Sequence, residues 1–251
     1  MFQLLQNLPH ITKNILIINV IMFVATFLFQ GQVNLTQELG VHVFNSPVFQ
    51  PYQIVSHFFM HGGLMHIFFN MFALVMFGSH LERVWGPKRF FMFYVISAVS
   101  AYLLYGGFGT YDLYQIKQEI QATIGDADLI FYELDQQIIS DAKTGEYRQY
   151  VNPLLNSYYR AGLIPMVGAS GAIFGLLAAF GMLFPNTQLM LLFPPIPIKA
   201  KYLVIGLMAI EVYLSFTSGM GSTIAHLAHV GGGVAGFIMV KIWQRKRNTF
   251  Y

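Results

Sequence analysis

One serine in an unusual setting is the first candidate for chemistry in this chain. Ser170 lies between Gly168 and Gly171, at the start of an apolar run that continues to Phe184. Polar side chains at membrane depth are costly, and they usually mark functional sites. A serine becomes a nucleophile when a neighbouring base accepts its proton. The last apolar segment of the sequence offers such a base in His229.

Glycines at helical spacing predict how these two residues meet. Two short stripes accompany them, with Gly171 and Gly175 beside Ser170, and Gly232 and Gly236 beside His229. Steps of three and seven residues return to nearly the same helix face, and small residues let membrane helices approach closely. We expect the two stripes to face one another, which would bring the imidazole to the hydroxyl.

A second histidine, His226, is the alternative base. It lies one turn nearer the outer end of the segment, and the residue three positions beyond it is His229 rather than a glycine. The glycine stripe therefore favours His229, and we predict that His226 lies at the interface.

The second apolar segment is predicted to supply oxyanion donors. His66 and Asn70 are four residues apart, so they lie one above the other on one helix face. With the Ser170 backbone N–H, they could stabilise the oxyanion of a tetrahedral intermediate. His57 and His61 share this spacing, which also occurs in zinc sites. However, the segment lacks a carboxylate and a His-Glu-x-x-His motif, so bonds to loop carbonyls are the favoured role of these two histidines.

No acidic residue is predicted to complete a triad. Glu82 is assigned to an inner loop, and Glu211 falls within the fifth apolar segment. The sequence therefore predicts a Ser170–His229 dyad that uses neither a metal nor a cofactor. The absence of cysteine excludes a thiol nucleophile, and the strand–turn–helix context of a soluble α/β-hydrolase is missing.

The elements that must position these residues are membrane helices. The chain is 55% hydrophobic and only 10% charged, whereas soluble domains carry about 25% charged residues. Six segments approach the ~20 residues of a spanning helix: 14–30, 58–79, 90–107, 168–184, 202–218 and 223–243. The fold class is therefore predicted to be an all-α membrane protein, with residues 1–251 forming one six-helix bundle. No small-residue cleavage site follows the first segment, so we interpret it as a retained helix.

The basic residues predict the orientation of the bundle. If the N-terminus is cytoplasmic, ten of the fourteen Lys and Arg residues fall on the inner side, as the positive-inside rule requires. The other four lie in one outer segment, 108–163, beside eight acidic residues. We expect both termini in the cytoplasm, a site that opens to the outer side, and residence in a bacterial cytoplasmic membrane.

Two outer segments are unusual. The first, residues 31–57, mixes apolar and polar residues without the length of a span, so it is predicted to lie in the membrane interface. The second, 108–163, is a long insertion between the third and fourth helices. Its isoleucine and leucine residues recur every four positions, which is compatible with two short amphipathic helices joined at Gly125. The alternative is a mobile polar loop.

In this order and spacing, the motifs resemble those of the rhomboid family of intramembrane serine proteases. His57-x3-His61-x4-His66-x3-Asn70 is similar to the family's second-helix motif. Gly168-x-Ser170-Gly171 is similar to its nucleophile motif, and His229-x2-Gly232-x3-Gly236 to its catalytic-histidine helix. The chain departs from many members at Tyr52-Gln53, where they carry Trp-Arg, and in the length of the 108–163 insertion.

The resemblance implies a serine endopeptidase that cleaves transmembrane segments of membrane-protein substrates near their outer ends. It also implies a rhomboid-like bundle in contact with the lipid bilayer, and no nucleic-acid partner. One alternative is a catalytically inactive, rhomboid-like binder of membrane proteins. A small transporter is a weaker alternative, because no inverted repeat is present.

Overall fold

A computed structural model of the protein describes residues 6–190, 195–217 and 220–247, and it is predominantly helical. The helices are α1 (His10–Leu28), α2 (Leu35–Leu39), α3 (Gln53–Ser56), a 3₁₀ turn (His57–Phe59), α4 (Leu64–Ala73), a π-helical turn (Leu74–Gly78), α5 (Ser79–Trp85), α6 (Pro87–Ile124), α7 (Asp128–Thr144), α8 (Pro153–Leu163), α9 (Ser170–Leu183), α10 (Ala200–Thr217) and α11 (Met220–Arg247). Two short strands, β1 (Gln188–Met190) and β2 (Pro197–Lys199), pair antiparallel.

Within the described residues, five helical stretches are long and apolar enough to cross a membrane, namely α1, the continuous stretch Leu64–Trp85, α6, α10 and the Ala225–Arg245 part of α11. The predicted all-α membrane fold is therefore confirmed. The helix that carries Ser170, α9, is apolar but has only 14 residues. Such a helix is about 21 Å long, whereas the hydrocarbon core of a bilayer is about 30 Å thick. A short α9 leaves room for a non-helical segment at membrane depth.

Some helix ends differ from the predicted spans. The second predicted span begins at residue 58, but a 3₁₀ turn occupies this position and α4 begins only at Leu64, after two glycines. The third predicted span ends at residue 107, whereas α6 continues to Ile124. The predicted end was placed where the side chains become polar, but the backbone of α6 remains helical beyond that point. The fifth predicted span ends at residue 218, which lies outside the described residues.

The 108–163 insertion is largely helical, so the loop interpretation is wrong. Helices lie on both sides of Gly125 as predicted, but the first is the outer part of the long α6 rather than a short helix of its own, and α8 was not predicted. Four of the apolar residues that recur every four positions are buried: Ile116 and Ile120 on α6, and Leu134 and Ile138 on α7. Ile124 has the same spacing but is exposed, because α6 ends there. Val41 and Val43 of the first outer loop belong to the same apolar cluster. The loop therefore packs against the insertion.

A buried carboxylate stabilises the insertion. Asp141 on α7 is 1% exposed, and it accepts hydrogen bonds from the Tyr159 hydroxyl at 2.6 Å and from Gln137 Nε2 at 2.7 Å. Arg148 Nε donates to the same carboxylate at 3.1 Å. These contacts join α7, α8 and the segment between them.

The segment that leads into α9 is held on two sides. Val41 and Met166 exchange backbone hydrogen bonds of 2.9 and 2.8 Å. The Gly168 N–H donates to the carbonyl of His57 at 3.0 Å. Because Val41 packs with the insertion, the insertion and the first outer loop together support the backbone that precedes Ser170.

Glu82 has a structural role at the opposite end of the bundle. It lies within α5 and is 3% exposed, so its assignment to an inner loop is wrong. Its carboxylate accepts hydrogen bonds from the backbone N–H groups of Ile11 and Thr12 at 2.9 and 2.7 Å. These donors would otherwise be unsatisfied at the start of α1. Glu82 therefore caps α1.

Candidate active site

Ser170 is the first residue of α9. The first intrahelical bond at this end runs from the Ile173 N–H to the Ala169 carbonyl at 3.0 Å. The N–H groups of Ser170, Gly171 and Ala172 therefore precede the hydrogen-bond ladder of the helix. Their partial positive charge favours an anion at this position. The hydroxyl thus lies where a negatively charged oxygen would be stabilised.

His229 on α11 meets this hydroxyl directly. Its Nε2 atom lies 2.9 Å from Ser170 Oγ, which is hydrogen-bonding distance. Its ring also stacks on Phe174, with centroids 4.4 Å apart and an angle of 11° between the planes. Phe174 is one turn after Ser170 on α9, so one helix supplies both the hydroxyl and the surface that orients the imidazole.

The glycine stripes lie where α9 and α11 approach each other. A Cβ atom at Gly232 would overlap the backbone of Gly171, and one at Gly236 would come within 2.6 Å of the Gly175 carbonyl oxygen. Gly175 also faces Ser97 on α6. Only glycine permits this backbone separation. The packing brings His229 on α11 within reach of the start of α9.

A carboxylate lies next to His229, contrary to the expectation that none is available. Glu211 on α10 places Oε2 3.0 Å from His229 Nδ1 and 2.6 Å from His226 Nδ1. The geometry at His226 is that of a hydrogen bond. At His229 the distance is short but the ring N–H is not aligned with the oxygen, so this contact is mainly electrostatic. His226 therefore binds Glu211, a contact that the predicted interfacial position did not anticipate.

Glu211, His226 and His229 also form a set of metal-type ligands. One ligand atom from each residue lies within 4.8 Å of the others. His57 and His61, whose spacing also occurs in zinc sites, are not part of this set.

His66 lies beside the nucleophile motif. A Cβ atom at Gly168 would be 2.8 Å from His66 Nε2, and Gly168 has φ +124°, so no other residue fits there without strain. Asn70, which is 5% exposed, uses one amide N–H to donate to the His66 carbonyl at 2.9 Å. An amide group has a second N–H, which Asn70 retains for another acceptor.

His57 and His61 lie just before the start of α4. His57 Nδ1 lies 2.8 Å from the Gln53 carbonyl oxygen, which is the loop contact favoured from the sequence. The same prediction is wrong for His61, because both of its ring nitrogens are buried without a hydrogen-bond partner among the described residues. The His61 ring instead packs against the edge of His66, with centroids 5.0 Å apart. Burial lowers the pKa of each of these outer-loop histidines to about 4. Both rings are therefore neutral near pH 7.

Sequence reasoning missed two residues at the site, Glu211 and Phe174. Glu211 was assigned correctly to the fifth helix, but the assignment did not indicate that this helix faces α11. Phe174 resembled an ordinary core aromatic. Its spacing of four residues from Ser170 was the available signal, since such residues share a helix face.

Comparison with known proteins identifies relatives of the chain. YdcA of Bacillus subtilis, a rhomboid protein, is 26% identical over 202 residues, which are 80% of this chain and 71% of YdcA. Rhomboid protein 1, mitochondrial, of Saccharomyces cerevisiae is 25% identical over 185 residues, which are 74% of this chain but only 40% of the yeast protein. Rhomboid-like protein 15 of Arabidopsis thaliana is 40% identical over 57 residues, or 23% of this chain and 14% of the plant protein.

The family comparison covers much more of the chain than the site alone. The Rhomboid domain model matches residues 48–246. This range runs from the first outer loop through α11, and it includes Asn70, Ser170 and His229. The chain therefore belongs to the rhomboid family.

Proposed function

We propose that this protein is an intramembrane serine endopeptidase, with Ser170 as the nucleophile and His229 as the general base. The observation that carries the proposal is the 2.9 Å separation of Ser170 Oγ and His229 Nε2 at the start of α9. Family membership supports a protease-type function in general, and the distance supports this particular pair.

The chemistry follows from the positions of these groups. His229 Nε2 accepts the Ser170 proton as Oγ attacks the scissile carbonyl carbon, and the carbonyl oxygen becomes an oxyanion. The N–H groups at the start of α9 and the side chains of His66 and Asn70 are the proposed donors to that oxygen. The protonated imidazole then gives its proton to the leaving amine. Water, activated by the same base, hydrolyses the acyl-enzyme and regenerates the free serine.

The proposed substrates are transmembrane segments of other membrane proteins. A helical substrate shields its scissile carbonyl within its own hydrogen bonds, so cleavage requires local unwinding. Substrates with Gly or Pro near the cut should unwind most readily, and small residues before the cut are expected from the family resemblance. The proposed location is a bacterial cytoplasmic membrane, with both termini inside and Ser170 open to the outer side.

An inactive rhomboid-like binder is the alternative. Such a protein would use the same fold to hold membrane proteins without cutting them. The hydrogen-bonding distance between Ser170 and His229 favours the protease, because binding alone does not require this contact.

The proposal is tested in proteoliposomes that contain the purified protein. The measurement is the cleavage of a reporter that has one transmembrane helix. Ser170→Ala and His229→Ala should reduce cleavage to background while leaving thermal stability near that of the wild type. Ser140→Ala and His80→Ala are matched controls, because both side chains are exposed and neither belongs to the site. Cleavage that persists in either site variant would refute the dyad. Stable binding of the reporter without cleavage by the wild type would support the inactive binder.

A further inference from the structure

Glu211 is an acidic residue within a membrane-spanning helix. Its side chain is only 14% exposed, and it lies on α10 facing α11. A charge at this depth is costly unless it is paired or used. Among the described side chains, His226 and His229 contact its carboxylate, and α9 contains no titratable side chain. The reason for a carboxylate at this position must therefore lie in its contact with His229, with His226, or with both.

We propose that Glu211 is a positioning residue that prepares His229 to act as a base, so that the dyad has Glu211 as a third, supporting member. This inference rests on the proposed protease function. A neutral imidazole can accept a proton at Nε2 only if its own proton is on Nδ1. A carboxylate oxygen 3.0 Å from Nδ1 favours that tautomer. It also stabilises the positive ring that forms when Ser170 loses its proton.

His226 distinguishes this arrangement from a simple triad. It makes the aligned hydrogen bond to Glu211 Oε2 at 2.6 Å, so the carboxylate is held chiefly by His226 and acts on His229 through its charge. The ring of His229 does not depend on the carboxylate alone for its orientation, because it stacks on Phe174. We therefore expect Glu211 to contribute less than the ~10⁴-fold effect of a well-aligned triad acid.

A purely structural role is the competing explanation. Glu211 could connect α10 to α11 through His226 without influencing the reaction. Loss of that connection would affect folding or the access of a transmembrane substrate. It would not affect the reaction of Ser170 with a small probe.

The test compares Glu211→Gln, Glu211→Ala, Glu211→Asp and His226→Ala with the wild type. Tyr213→Phe is the matched control, because it removes a polar group from the exposed side of the same helix. Two quantities are measured: kcat and KM for the transmembrane reporter, and the second-order rate at which a soluble fluorophosphonate modifies Ser170. Thermal unfolding in detergent shows which variants fold.

Glu211→Gln should lower both kcat and the fluorophosphonate rate at least about tenfold, with KM little changed. Its amide can donate to Nδ1 and favour the wrong tautomer, so this variant should be slower than Glu211→Ala. Glu211→Asp retains the charge and should recover part of the rate. His226→Ala should lose less activity than Glu211→Gln, since the carboxylate remains.

Normal kcat and normal probe reactivity in Glu211→Gln would overturn the proposal. So would equal losses in Glu211→Gln and His226→Ala that appear only in KM. If Glu211→Gln does not fold, Glu211→Ala, which also lacks the carboxylate, decides the question by the same criteria. Failure of the proposed function itself would look different, because the wild-type protein would then neither cleave the reporter nor react with the probe at Ser170.

Discussion

At the scale of single residues, the site combines groups that each have a different task. Ser170 carries the hydroxyl, His229 lies at hydrogen-bonding distance from it, and Phe174 fixes the plane of the imidazole. His66 and Asn70 lie on the neighbouring helix α4. The nearby carboxylate of Glu211 is paired with two imidazole rings, which suits a site where isolated charges are costly.

Asn70 is predicted to stabilise the oxyanion through the amide proton that its bond to His66 leaves free. Asn70→Ala should reduce kcat by about 10²-fold with little change in KM, because the lost donor acts on charge that develops only in the transition state. Steady-state cleavage of the transmembrane reporter measures both constants. Asn45→Ala, on the exposed outer loop, is the control. An unchanged kcat in Asn70→Ala would remove this residue from the mechanism.

The residue scale also shows how far the sequence can define a site. Ser170 and His229 stand out because polar groups are rare in apolar segments. Glu211 is equally unusual, but a one-dimensional pattern does not show which helices are neighbours. Only the packed bundle shows that its carboxylate reaches His229.

At the scale of elements, the contact between α9 and α11 determines the site. Backbone atoms of Gly171 and Gly175 lie against Gly232 and Gly236, with no space for a methyl group. The sequence predicted these stripes from spacing alone, because helical periodicity is a local property. It did not predict that α6 also packs on α9 through Ser97, because the relative positions of helices depend on the whole bundle.

Gly232→Ala tests the importance of this close approach. The added methyl group would overlap the Gly171 backbone, so we expect a loss of about 1–3 kcal/mol in stability and a larger loss of activity, because α11 must move away from Ser170. Gly206→Ala is the control, since a Cβ atom there would meet nothing within 4 Å. Thermal unfolding and reporter cleavage measure the two effects. If Gly232→Ala retains full stability and full activity, the packing argument is incorrect.

Element ends are where hydropathy is least informative. The third apolar segment loses its apolar character near residue 107, yet α6 continues to Ile124. Its outer part packs against α8 and also contacts α7 and the first outer loop. The four-residue spacing of Ile116 and Ile120 did indicate the buried face of this part of α6. A helix that packs against other protein segments shows this apolar periodicity wherever it lies.

At the scale of the whole molecule, two apolar clusters meet near Ser170. One lies among the spanning helices, and the other joins the first outer loop to the 108–163 insertion. Met166 and Gly168, which precede the serine, are hydrogen-bonded to the outer loop at Val41 and His57. The insertion therefore supports the nucleophile indirectly through the loop.

The buried outer histidines should make the stability of the whole molecule depend on pH. Burial lowers the pKa of His57 to about 4 from an ordinary value of 6.5. Between these values the unfolded chain binds a proton that the folded chain does not, so stability falls as the pH decreases from about 6.5 towards 4. His57 alone could account for a loss of about 3 kcal/mol, and His61 acts in the same direction.

Thermal unfolding in detergent between pH 7.5 and pH 4.5 measures this dependence. His57→Phe should show a shallower decline than the wild type, with the remainder due in part to His61. His80→Phe is the control, because His80 is exposed on α5. A decline as steep in His57→Phe as in the wild type would show that His57 is not the source.

The central claim is that His229 activates Ser170 for nucleophilic attack. The most direct measurement is mass-spectrometric mapping of a fluorophosphonate adduct on the purified, folded protein. We predict one adduct, on Ser170, in the wild-type protein, and none in His229→Ala under the same conditions. An unmodified Ser170 in the wild type, or equal modification in the two proteins, would contradict the claim.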